Sequence, residues 1–201
     1  MTCHPEPLPR TAAFLRFTLA IAITVAVSGC ATFKMPSFSK PSIGKPSTPL
    51  RTVRQVDLPR FMGDWRVVAN IPSLINKDCV DSIESFALRP DGRIENWFTY
   101  RKKSFAAPQK TVKAEARVVN TATNAEWSVK FFGVIPSTYL VTDLDPGYQW
   151  AVIGHPSRDY GWILAREKTL PNSTYEAILD RLAVQGYDPG KFVKVPQSLG
   201  R

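Results

Sequence analysis

Met62-Gly63-Asp64-Trp65-Arg66-Val67-Val68-Ala69-Asn70-Ile71-Pro72 sets the pattern for most of this chain. Trp65, Val67, Ala69 and Ile71 are apolar at every second position, the period of a half-buried strand. The alternation continues downstream. Glu84, Phe86 and Leu88 share one face ahead of the turn Pro90-Asp91-Gly92. Ile94, Asn96, Phe98 and Tyr100 follow, then Ala114, Ala116 and Val118, then Trp127, Val129 and Phe131. Tyr139 and Val141 come after Pro136, with a turn at Asp145-Pro146-Gly147. Tyr148, Trp150 and Val152 alternate next, and last Tyr160, Trp162 and Leu164. Short alternating segments with turn signals between most of them imply an all-β sandwich or an up-and-down barrel of eight strands.

One segment has a different period. Tyr175, Ile178, Leu179, Leu182 and Ala183 recur at helical spacing. Pro171, a Ser173–Glu176 capping box and Gly186 predict its two ends. The helix is amphipathic, so it is expected to pack on the outside of the β structure.

The N-terminal 56 residues have another composition. Arg10 and Arg16 precede the apolar run Phe17 to Val27, and Ser28, Gly29 and Cys30 follow. A basic start, a short apolar stretch and small residues make a secretory signal rather than a membrane-spanning helix, which needs about 20 apolar residues. Beyond Cys30, residues 31–56 carry Lys34, Lys40, Lys45, Arg51 and Arg54 and no acid, with Pro36, Pro41, Pro46 and Pro49. Lys40-Pro41-Ser42 recurs as Lys45-Pro46-Ser47. Such a stretch builds no core and reads as a tether. The expected division is a signal over 1–29, a modified cysteine and basic tether over 30–56, and one domain over 57–201.

Two resemblances sharpen this reading. Val27-Ser28-Gly29-Cys30 resembles the bacterial lipobox, which implies diacylglycerol on the Cys30 thiol, cleavage before it and acylation of its amine. Ala31 in place of an aspartate resembles the sorting default to the outer membrane. In the domain, Gly63-Asp64-Trp65 matches the Gly-x-Trp that opens the first lipocalin strand, and Arg166 matches the arginine that ends the last. Ser137-Thr138-Tyr139 keeps only the tyrosine of a common Thr-Asp-Tyr motif. Met62 to Trp65, Ala69-Asn70-Ile71-Pro72, Pro90-Asp91-Gly92, Arg158-Asp159-Tyr160 and Val195-Pro196-Gln197 are similar to bacterial outer-membrane lipocalins. The resemblance covers residues 56–197. It implies an eight-stranded antiparallel barrel with one C-terminal helix outside, and a role in lipid transport or storage for membrane maintenance. It also implies that Gly63, Trp65 and Arg166 close the barrel floor, the guanidinium lying on the indole.

Such a barrel has room for side chains alone or for one small ligand. Glu84, Phe86, Phe98, Tyr100, Ala116, Phe131, Trp150 and Trp162 are expected to line its interior and meet a fatty acid, lysophospholipid or similar amphiphile. Ala69, Ala114 and Ala116 are small where a solid core wants bulk. Glu84 is the carboxylate of this inward set and could meet a ligand head group. The expected partners are that ligand and the membrane through the lipid anchor; oligomeric state is left open, a homodimer included.

Other functions find less in the sequence. The net charge is +9, yet the domain shows no basic stripe with interleaved aromatics, so nucleic acid is not expected. The two histidines, His4 and His155, cannot form a clustered metal site, and no cofactor motif is found. Cys79 is the candidate nucleophile for an enzymatic alternative. It has Lys77 nearby but is flanked by Asp78 and Asp81, which disfavour the thiolate. No catalytic residue is expected; a surface adaptor with a filled barrel is the other alternative.

Overall fold

The structure is a computed structural model and describes residues 48–198. The signal segment, Cys30 and the tether up to Ser47 lie outside the described residues. A short helix α1 (Leu58–Phe61) leads into β1 (Gly63–Asn70). The strands β2 (Cys79–Leu88), β3 (Arg93–Lys102), β4 (Lys110–Val118) and β5 (Glu126–Phe131) follow. Then come β6 (Ile135–Leu144), β7 (Trp150–Gly154) and β8 (Gly161–Ala165). Helix α2 (Asn172–Val184), a 3-10 turn (Pro189–Lys191) and β9 (Val193–Lys194) complete the order. Each strand pairs antiparallel with the next, and β1 pairs with both β2 and β8. The sheet is therefore a closed, eight-stranded up-and-down barrel, which leaves no long free edge.

The closing seam needs extra support. Gly63–Arg66 pair with β2, but farther along β1 the partners of Ala69 and Asn70 are Lys194 and Val193 of β9. The segment after β9 then bridges the two diverging strands. Gln197 Nε2 donates to Val67 O (2.9 Å) on one side and to Ser82 O (3.3 Å) on the other. Asp81 N–H donates to Pro196 O, and Ser198 N–H to Asp81 Oδ1. Val195-Pro196-Gln197 thus supplies partners that backbone groups of β1 and β2 would otherwise lack.

Apolar side chains form two layers. Inside the barrel, Trp65, Val67, Phe86, Ile94, Phe98, Trp127, Val129, Val141, Ile153 and Leu164 make one cluster. Between the barrel wall and α2, Val68, Ala69, Ile71, Val152, Ile163, Tyr175, Ile178 and Leu182 make another.

This arrangement corrects two sequence expectations. Ala69 and Ile71 were expected inside with Trp65 and Val67. The register against β8 jumps between Val67 and Ala69, and both side chains face α2 instead. One extra residue in a strand inverts every later side chain. Trp150 was also expected inside. Ala151 and Ile153 take the interior, while Trp150 packs in the outer layer with the Arg181 guanidinium 5.3 Å from its ring. Because α2 covers the wall, β7 is apolar on both faces, and its phase cannot be read from alternation.

The helix ends differ from each other in how they match. No capping box forms: α2 starts at Asn172, behind Pro171, with no side-chain cap, so Ser173 lies inside the first turn. At the other end Gly186 has φ +82°; its N–H donates to Ala183 O, and Tyr187 N–H donates to Leu182 O. That pair of bonds is a Schellman closure, and the left-handed residue it needs is a glycine.

Residues just before the expected domain start also pack on the barrel. Val56 is fully buried, and Val53 and Leu50 pack on the two apolar clusters. Val53 N–H donates to Val141 O, and Val56 N–H to Thr123 O. Three apolar residues among polar ones gave too little pattern to mark this docked segment.

Candidate ligand-binding cavity

One end of the barrel is shut. Phe61 from α1, Trp65, Phe86 and Trp127 pack ring against ring at centroid distances of 5.0–5.6 Å. Arg166 lies across the outside of this plug, its Cζ 3.7 Å from the Trp65 ring centroid. Its nitrogens donate to the carbonyls of Arg60, Phe61, Met62 and Asp64. The guanidinium thus satisfies the carbonyl end of α1 while attracted to the indole face. Gly63 has φ +94°, and a Cβ there would come within 3.4 Å of Arg166 Nη1. Glycine meets both demands at once.

Above the plug the interior opens. A cavity of about 220 Å³ is lined by Glu84, Phe98, Val112, Phe131, Tyr139 and Trp162 in the barrel. Ser73, Ile75, Asn76, Ile135, Pro136, Ser137, His155 and Tyr160 line it at the mouth side. Trp162, Tyr139 and Phe131 form a continuous aromatic wall, with centroids 5.2 Å and 6.3 Å apart. Of the eight residues expected inside the barrel, Glu84, Phe98, Phe131 and Trp162 line this cavity. Tyr100 stacks on Phe98 at 4.9 Å, beside the cavity lining. Phe86 and Ala116 point inward but belong to the packed lower half, and Trp150 lies outside the wall. Periodicity gives a face; it does not give depth along the barrel. Val112 and Tyr139 lay on readable strands and could have been named from them. Ile75 sits in the β1–β2 loop and Ile135 is the first residue of β6, where no period marks them.

Glu84 is the unusual member of the set. It is 4% exposed, and its Oε2 accepts a 2.6 Å hydrogen bond from Asn96 Nδ2. Burial pushes its carboxyl up to about 8, against the pull of the Asn96 bond. At neutral pH it is thus largely uncharged. The Tyr139 phenol is raised well above its usual range, by burial first and by Glu84 second. Asn96 is 1% exposed, and its Oδ1 has no hydrogen-bond partner.

The mouth differs from the plug. Loops β1–β2, β3–β4, β5–β6 and β7–β8 must all lie at one end of an up-and-down barrel. They carry Leu74 (98% exposed), Phe105, Phe132, Val134 (77%) and Tyr160. Lys77 and Lys103 are exposed on the same loops.

Cys79 sits apart from the aromatic cavity. Its Sγ lies 3.7 Å from Lys102 Nζ and 3.6 Å from Ile75 O. Burial raises the thiol despite Lys102, which opposes thiolate chemistry. The His155 ring is tied to Ser157, with Nδ1 2.9 Å from Oγ. Among the described residues no cluster of metal-ligating side chains occurs.

Comparison with known proteins agrees with this architecture. Residues 56–197 match the profile of the lipocalin-like domain. The chain is 33% identical to temperature-induced lipocalin-1 of Arabidopsis thaliana, over 74% of this chain and 83% of that protein. It is 26% identical to the outer membrane lipoprotein Blc of Escherichia coli, over 87% and 97%. Among solved structures, insecticyanin from Manduca sexta superimposes with a TM-score of 0.61 at 18% identity, over 76% and 86% of the two chains. A plugged eight-stranded barrel with an outer helix, an arginine laid over its Gly-x-Trp and a matching profile through the domain lead to one assignment: the chain belongs to the lipocalin family.

Proposed function

We propose that this chain is a lipid-anchored lipocalin of the bacterial outer membrane that carries an acyl-chain amphiphile, such as a fatty acid or lysophospholipid, for transport or storage in membrane maintenance. It does so by binding, without catalysis. The observation that carries the reading is the apolar cavity above a sealed floor, open at one end. At roughly 30 Å³ per methylene-sized group, taking the share of a water molecule as the measure, 220 Å³ holds about seven such groups. Their burial contributes on the order of 6 kcal/mol gross, reduced by ordering the chain. Affinity between tens of micromolar and about a millimolar is the scale that results. The apolar tips at the mouth, with Lys77 and Lys103 beside them, favour exchange with a lipid surface. The likeness to an outer membrane lipoprotein and the lipobox-like Val27-Ser28-Gly29-Cys30 support anchoring through Cys30, with the domain facing the periplasm.

The test is a titration of the unlipidated protein with fatty acids and lysophospholipids, followed by tryptophan emission and calorimetry. Emission should change, because Trp162 lines the cavity. No heat and no emission change up to about a millimolar of monomeric ligand would leave the barrel as a filled scaffold for surface contacts. For the anchor, Cys30→Ser should accumulate uncut precursor in the inner membrane. Normal maturation and outer-membrane fractionation of that variant would remove the lipoprotein reading.

A further inference from the structure

We infer that the inner end of the cavity, where Glu84 meets Asn96, is also a subsite for a protonated amine, so that an alkylamine enters the barrel with its charged end first. The inference rests on the cavity being the ligand site. It begins with depth. Glu84 is two residues along β2 from Phe86, which packs edge-on against Phe61 and Trp127 in the plug. In register, Glu84 stands opposite Trp65 of β1 and Phe98 of β3. The carboxyl therefore sits at the sealed end, while Ile75 of the β1–β2 loop and Ile135 at the start of β6 surround the mouth. A hydrocarbon tail entering first would meet the polar pair with its methyl end.

Of the pair, Glu84 is the member that lines the cavity. Asn96 Nδ2 is committed to Glu84 Oε2, and Asn96 Oδ1 is buried without a partner. An alkylammonium brings three donors, no acceptor and the charge that a buried carboxylate requires. A carboxylate end can share only the single proton that the neutral Glu84 carboxyl holds, and a hydroxyl brings one donor without charge. The tail would then run outward along Phe98, Phe131 and Trp162 to the mouth.

Binding changes protonation in a defined way. In the empty cavity Glu84 is largely neutral at pH 7. Pairing with an ammonium requires the carboxylate, so its proton leaves to solvent while the amine keeps its own. The groups facing Glu84 are Asn96 on β3 and the Tyr139 phenol on β6; the phenol stays neutral through this range. Trp65, Phe98 and Val112 bring no charge. One amine bound therefore releases nearly one proton.

The experiment compares n-octylamine, n-octanol and octanoate against the full mature chain, unlipidated, by calorimetry at pH 7. Two buffers of different ionisation enthalpy give the proton count. Octylamine should bind about tenfold or more tighter than octanol, the scale of one charge-assisted hydrogen bond, with close to one proton released. Glu84→Gln should abolish both the preference of octylamine over octanol and the proton release. Octylamine binding no tighter than octanol, or binding to wild type without proton release, overturns the inference and leaves a general amphiphile cavity standing. Failure of all three probes to bind overturns it together with the reading it rests on.

Discussion

Replacing Glu84 by Gln should stabilise this protein, by an amount that depends on pH. The Glu84 carboxyl is buried against Asn96 and ionises at about 8 in the fold, against an ordinary value of 4.5. Between those values the folded state holds a proton that the unfolded chain releases. Unfolding then sheds protons, so stability falls as pH rises across this window. Below pH 4.5 both states are protonated and there is no penalty. At pH 7 the penalty is about 1.36 kcal/mol for each of some 2.5 pH units, or roughly 3 kcal/mol. Above pH 8 it levels off. Gln has nearly the same shape, keeps a side-chain oxygen for Asn96 Nδ2 and does not titrate. The variant should match wild type near pH 4.5 and exceed it by about 3 kcal/mol at pH 7. Urea unfolding at half-unit steps from pH 4.5 to 9, with m-values compared to confirm the same two states, measures the difference. A constant offset across that range would be incompatible with a carboxyl held neutral by burial.

Three further outcomes follow from the geometry. Trp65→Ala should cost about 3–5 kcal/mol and Arg166→Ala about 1–3 kcal/mol, and denaturation of the double variant should show less than their sum, since each single change removes the same 3.7 Å contact; strict additivity would deny that contact. Trp162→Phe should remove most of the emission change caused by an acyl ligand, whereas Trp150→Phe should leave it, because Trp150 lies under α2; the reverse result would invert the assigned phase of β7. Val112→Trp should fill the cavity and weaken ligand binding with the fold intact. Ala116→Trp, placed in the packed lower half, should instead destabilise by about 1–3 kcal/mol in the same thermal and urea assays.

The barrel was legible in the sequence because an antiparallel wall with one wet face writes its pleat as alternation. Ile94 and Glu95, or Val129 and Lys130, show at a glance which side meets the interior. Turn chemistry at Pro90-Asp91-Gly92 and Asp145-Pro146-Gly147 separated the strands, and Gly186 marked the helix end by the left-handed geometry it alone adopts cheaply. The identity of the floor came from motif resemblance, and the fold supplied its cause: one guanidinium serving four carbonyls and an indole.

Three matters were set only by tertiary structure. Where α2 covers the wall, β7 and β8 are apolar on both faces, so alternation vanishes and Trp150 was assigned to the wrong side. A register jump near Val68 sent Ala69 outward, and nothing local announces a bulge that exists to satisfy two neighbouring strands at once. Depth was the third. Phe86, Glu84 and Phe98 are equally inward in a one-dimensional pattern, yet one seals the floor and the other two face open space. A period reports direction around the barrel. Position along its axis, and with it the meeting of Glu84 with Asn96, arises from how eight strands tilt and stagger to close.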